Sequence, residues 1–177
     1  MPIVSLVRCL IASGMVLMMS PPIVLAQLLP DNPRLMALTE FIEGLEREGR
    51  SPGGSRMLRN GISQEGDVRI QIVYYQDADF SGADFRFFDL GMIDPNLSPE
   101  ETEARIGTPP LFFSFRSSNF TEADLRSSRF HFTDFYGADC VDAHFGQASL
   151  TGSYFWEANL LRANFSGAEL EGVTFEG

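Results

Sequence analysis

From Phe115 to Phe175 every fifth residue is apolar: Phe115, Phe120, Leu125, Phe130, Phe135, Cys140, Phe145, Leu150, Phe155, Leu160, Phe165, Leu170 and Phe175. Two residues before each lies a second column, running from Phe113, Ser118 and Ala123 to Ala163, Ala168 and Val173, in which only Phe113 is large. An α-helix repeats its faces about every 3.6 residues and a strand about every 2, so a period of five fits neither. It fits a chain that turns a corner every five residues and stacks on itself. Each step then turns one large and one small side chain inward. The large column fills the axis, burying apolar area at about 25 cal/mol per Å². The small column stands where the walls approach too closely for a second large group.

Polar positions follow the same step. Asp or Asn comes just before the large residue at Asp79, Asp84, Asp89, Asn119, Asp124, Asp134, Asp139, Asn159 and Asn164. Such side chains bond backbone N–H groups at turns. Gly comes two residues after it at Gly82, Gly137, Gly152, Gly167, Gly172 and Gly177, where a corner calls for unusual dihedrals.

The pattern Ala78-Asp79-Phe80, Ala83-Asp84-Phe85, Ala123-Asp124-Leu125, Ala138-Asp139-Cys140, Ala158-Asn159-Leu160 and Ala163-Asn164-Phe165 resembles the pentapeptide-repeat family. The same register includes Val68/Ile70, Val73/Tyr75 and Leu90, giving repeats centred on residues 70 to 90 and again on 115 to 175, about half of the chain. The resemblance implies an all-β solenoid, a right-handed quadrilateral β-helix with four pentapeptides to the coil. Its repeats would make about four and a half coils, and at a strand separation of ~4.8 Å a rod roughly 22 Å long. A solenoid of this kind is held by contacts between neighbours and needs its ends protected.

Two segments depart from the repeat. Asn32-Pro33 opens a helical pattern with Leu35, Leu38, Phe41, Ile42 and Leu45 on one face, and Gly49 stops it. Residues 27–65 are therefore predicted to be a capping α-helix and linker, the helix lying over the first coil near Ile70 and Tyr75. Arg56 to Ile62 reads as a second short helical turn. Residues 66–177 form the β-helix, interrupted at 91–111 by an excursion. Within it Ser98-Pro99 starts a short helix that Gly107 and Pro109-Pro110 end.

The first residues carry a different signal. Met1 to Arg8 is weakly positive, Cys9 to Met19 is an uncharged apolar run, and Pro21-Pro22 and Val24-Leu25-Ala26 follow. This order predicts a signal peptide over 1–26, cut between Ala26 and Gln27. It is shorter than the roughly 20 apolar residues of a membrane helix, so no stable anchor remains after the cut. The expected compartment is a bacterial periplasm or a thylakoid lumen; without cleavage it is the cytoplasm.

The formal charge is −11 and the chain contains no lysine. Such a surface repels nucleic acid and anionic lipid and suits a basic protein partner or simple solubility. Beyond the leader Cys140 is the only cysteine, an inward thiol without a disulfide partner. No catalytic, cofactor-binding or metal constellation is evident. His131 and His144 are read as outward on different faces, and no phosphate loop or nucleophile elbow occurs. A filled axis leaves no cavity, so the reading is of a non-enzyme without cofactors.

On the implied four-sided coil, residues twenty apart stack. One outward column is then Arg116, Tyr136, Trp156 and Glu176, its neighbour is Asp134, Tyr154 and Thr174, and the next face offers Val141 and Leu161. Arg116, Tyr136, Tyr154 and Trp156 form the candidate partner face, because contiguous exposed aromatics mark contact surfaces. Three functions compete. One is an exported scaffold that binds another protein. The second, implied by the family, is an acidic rod that imitates duplex DNA and protects a type II topoisomerase from inhibitors. The third is end-to-end self-association through Leu170 and Phe175.

Overall fold

The computed structural model describes residues 33–62, 69–90 and 111–177. The leader with its cut at Ala26 and Gln27 and the excursion at 91–110 lie outside the described residues.

The local unit is a corner of four residues. Its first residue is the large apolar one, whose carbonyl accepts from the N–H three positions on, as in Ser118 to Phe115 (3.2 Å), Ala123 to Phe120 (3.0 Å) and Ala138 to Phe135 (3.0 Å). The third residue has positive φ, as at Ser117 (54°), Glu122 (59°) and Gly137 (62°). Sequence reasoning tied this dihedral to the glycines alone. Yet Asp77, Phe87, Phe132, Glu157, Arg162 and five other non-glycine residues adopt it as well. None is β-branched, the class for which left-handed backbone is most costly. The Asp/Asn column behaves as predicted. Asp79, Asp84, Asn119, Asp124, Asp134, Asp139, Asn159 and Asn164 each accept, through Oδ1, the N–H two residues on. The side chain thereby satisfies a corner donor that the ladder leaves open.

Corners stack through parallel bridges between residues twenty apart, such as Ser114 with Asp134, Asn119 with Asp139 and Asp139 with Asn159. Before residue 90 the spacing is forty: Asp79 pairs with Asn119, Asp84 with Asp124 and Asp89 with Arg129. The extra twenty positions are residues 91–110, so the repeat resumes in phase. Inside, Tyr75, Phe115, Phe135, Phe155 and Phe175 form one stack, with successive centroids 5.7, 5.8, 4.7 and 5.6 Å apart and rings within 20° of parallel. Rings on adjoining walls meet edge to face, as Phe115 and Phe120 do at 89°, the arrangement that ring quadrupoles favour.

The N-terminal end is built differently. Helix α1, Pro33–Arg47, buries Leu38, Ile42 and Leu45 and sets Phe41 on Phe85 (4.5 Å) and Phe88 (5.3 Å). Gly49 (φ 79°) ends the segment. Its N–H reaches Glu46 O (3.0 Å) and the N–H of Arg50 reaches Leu45 O (2.9 Å), a Schellman termination.

Ser55–Ile62 is a strand, β1, which corrects the helical turn predicted for Arg56 to Ile62. It runs antiparallel to β2, Arg69–Gln76, in the register Ser55↔Gln76 to Ile62↔Arg69. On its other edge β2 pairs in parallel with β3, Leu111–Ser114, through Gln71↔Leu111 to Tyr74↔Ser114. Asn60 and Gly61 are poor helix formers, and an open β2 edge supplies the partners a lone helical turn lacks. With both edges paired, β2 runs straight through the corner expected between Ile70 and Tyr75, and the first left-handed residue after it is Asp77 (φ 57°). Val73 and Tyr75 remain buried in the predicted columns.

The outer surface also has a buried part. Phe132 is only 4% exposed although it occupies an outward corner position. A Cβ on Gly152 (φ 71°) would lie 2.4 Å from its ring. Gly152→Ala is therefore expected to lose about 2 kcal/mol by overpacking and backbone strain, read by denaturant unfolding. Deleting residues 91–110 joins Leu90 to Leu111 in the register of every later coil. Circular dichroism and a cooperative melt are expected to survive it, and collapse of both would contradict the phase argument.

Candidate functional site

Arg116, Tyr136 and Trp156 are the second residues of the corners that begin at Phe115, Phe135 and Phe155, so the twenty-residue stack brings them into one column. Tyr154 precedes Phe155 and stands beside them. The rings of Tyr136 and Tyr154 lie 6.5 Å apart and 13° from parallel. Trp156 meets both edge to face, at 6.2 Å from Tyr136 and 5.8 Å from Tyr154. The guanidinium carbon of Arg116 lies 4.6 Å from the Tyr136 ring centroid, a cation–π geometry. All four residues predicted from sequence thus come together, and Trp156 keeps 39% of its surface exposed.

The pivot of the cluster is a residue that sequence reasoning assigned only to turn bonding. Asp134 is 1% exposed. Its carboxylate accepts from Arg116 Nε (2.7 Å), Ser114 Oγ (3.0 Å) and the Tyr136 N–H (3.0 Å). Burial pushes the Asp134 carboxyl above its ordinary value, against the Arg116 charge and the hydrogen bonds. A signal was present in the sequence: Ser114 lies twenty residues before Asp134, and Arg116 twenty before Tyr136. Tyr136 Oη donates to Glu157 (2.6 Å), which fixes the ring and raises its phenol pKa.

Elsewhere the polar groups are structural. Arg86 pairs with Asp84 (2.6 Å) and reaches Asp124 (3.6 Å) across the stack. The hydrogen bond to Arg86 holds Asp84 down at about 2. Exposed pairs of this kind add little stability. His144 is exposed, and His131, at an outward position, is covered to 7% exposure. Its Nε2 hydrogen-bonds Ser149 Oγ, which also donates to Glu169. The serine therefore sits between the other two groups, whereas a nucleophilic triad needs the histidine in the middle. Cys140 is buried and its thiol pushed up by burial, away from reactivity. Among the described residues no cluster of His, Cys, Asp and Glu is arranged for a metal, and no helix is long and apolar enough to cross a membrane.

Residues 113–139 and 138–177 match the family described as pentapeptide repeats, in eight copies. This segment belongs to the pentapeptide-repeat family. Pentapeptide-repeat proteins fold as right-handed quadrilateral β-helices and are in general non-catalytic structural or interaction proteins. Three solved structures are similar to this chain, the first two of them pentapeptide-repeat proteins. A protein of the Arabidopsis thaliana thylakoid lumen is 25% identical over 58% of this chain and 59% of its own, with a TM-score of 0.43. HetL of the cyanobacterium Nostoc, involved in heterocyst differentiation regulation, is 20% identical over 56% of this chain and 48% of its own (TM-score 0.23). QnrB1, a plasmid-mediated fluoroquinolone resistance protein, is 20% identical over 59% and 64% (TM-score 0.18). The chain thus spans roughly half to two thirds of these proteins. No curated protein matches it by sequence.

Removing the Asp134 carboxylate leaves the buried Ser114 hydroxyl and the Tyr136 N–H without their acceptor. Asp134→Ala is expected to lose about 2 kcal/mol near neutral pH. The folded pKa is raised, so the stabilising effect of this group is fullest below the unfolded aspartate value and declines as pH rises through the folded one. Urea unfolding should show a wider gap between the two proteins near pH 4 than near pH 7.

Proposed function

We propose that the chain is an exported, non-catalytic pentapeptide-repeat scaffold that binds a protein partner through Arg116, Tyr136, Tyr154 and Trp156. The observation that carries this is the aromatic cluster itself. Three large rings stand at one corner of a polar rod, with Trp156 39% exposed. Two of them are held in place by hydrogen bonds or stacking that predate any partner. Rigid aromatic anchors lose little entropy on binding, which makes them effective contact residues. In this reading α1 caps the first of about four and a half coils, with Phe41 covering the Phe85 and Phe88 rings. The leader over 1–26 directs the chain to a periplasm or thylakoid lumen.

The acidic charge of −11 favours one other reading, a duplex-DNA mimic acting on a type II topoisomerase. Export would separate such a mimic from its target, so the scaffold is preferred. Affinity capture from native extract tests it: the partner bound by the chain should be lost in Tyr136→Ala/Trp156→Ala. Unchanged capture would reject this face, and a full-length cytoplasmic product on cell fractionation would restore the mimic.

A further inference from the structure

We infer that the exposed face of Trp156 receives an arginine side chain from a basic segment of the partner protein. The inference rests on the aromatic face being the partner site, and it states what that face recognises.

The molecule contains its own template for the contact. In the same column Arg116 lays its guanidinium over Tyr136, 4.6 Å from the ring centroid, and Asp134 answers its charge at 2.7 Å. One coil further on, Trp156 presents a larger ring that is 39% exposed, and no cation of this chain is paired there among the described residues. Carboxylates stand ready beside it. Glu157 follows Trp156 directly, and the Glu157 N–H bonds Glu176 O at 2.9 Å, so the two glutamates lie on adjoining rungs at this corner. Both also act on the neighbouring Tyr154 phenol.

Charge decides the sign of the ligand. Arg116 is matched by Asp134, which leaves Glu157 and Glu176 in excess around the rings. Across residues 151–177 four glutamates face a single arginine, Arg162, and that arginine is held by Asp142 at 2.6 Å. An anionic ligand is repelled and a neutral one leaves the carboxylates unanswered. Arginine fits better than lysine because its planar guanidinium stacks on indole while its edge bonds carboxylates.

Trp156 is the one tryptophan of the chain, so its fluorescence reports the contact directly. The full chain is titrated with a short Gly/Arg peptide and with the same peptide carrying citrulline, a neutral isostere, in place of arginine. The arginine peptide should give a saturable change that weakens with salt. Affinity should fall about tenfold for the citrulline peptide and similarly in Glu157→Gln/Glu176→Gln, whose melt serves as the folding control. Equal affinity for both peptides, or a response indifferent to the double Gln variant, overturns the arginine assignment. If capture is still lost in Tyr136→Ala/Trp156→Ala, the face survives as a partner site and only the cation chemistry falls. Capture unchanged in that variant removes both.

Discussion

The parallel backbone ladder, which holds Tyr75, Phe115, Phe135, Phe155 and Phe175 in one stack, is the constraint on which the other contacts depend. Aromatic rings brought together by the parallel backbone ladder pack the axis with Leu90, Leu125, Cys140 and Leu150, and the walls hold one large and one small residue per step. Adding bulk to the small column would force neighbouring walls apart, and removing a ring would leave a void that the rigid ladder cannot close. Whatever recognition occurs must use the outer positions of the corners.

The corners themselves carry a cost. A left-handed residue at each one is free only for glycine, and Phe132, Glu157 and Arg162 adopt it with a side chain attached. At Phe132 and Glu157 the strain is offset by the ladder bonds of their own N–H groups to Thr151 O and Glu176 O, and at Arg162 by the bond of the preceding N–H to Asn159 Oδ1. Phe132 shows how a strained position acquires a use: its ring settles on Gly152, where no Cβ intervenes. Corner position and packing one coil away are thus linked through the twenty-residue spacing.

The partner face is an outgrowth of that linkage. Arg116, Tyr136 and Trp156 are far apart in the chain, yet residues at the same corner position twenty apart align. Its legibility was good, because alignment follows from the period together with the four-sided coil that the family resemblance implies. The supporting residue was not legible in full. Asp134 matches seven other turn-bonding Asp and Asn residues in sequence, and only its neighbours Ser114 and Arg116 turn it into a buried acceptor. The burial of His131 was not legible for the same reason, since an outward position says nothing of what lies over it.

The period of five determined the inward columns, because they follow from local corner geometry. The twenty-residue stacking and the place of the aromatic face came from the four-sided coil that the family resemblance implies. Helix α1 and its stop at Gly49 were equally local, set by apolar spacing and a glycine able to take positive φ. Tertiary structure decided that residues 55–62 pair as a strand on β2 rather than coil into a helix. It also decided that β2 passes straight through an expected corner, and that Asp134 and His131 are buried. These outcomes depend on which backbone edge is free and what covers a given wall. Neither is encoded in the neighbours of the residue concerned.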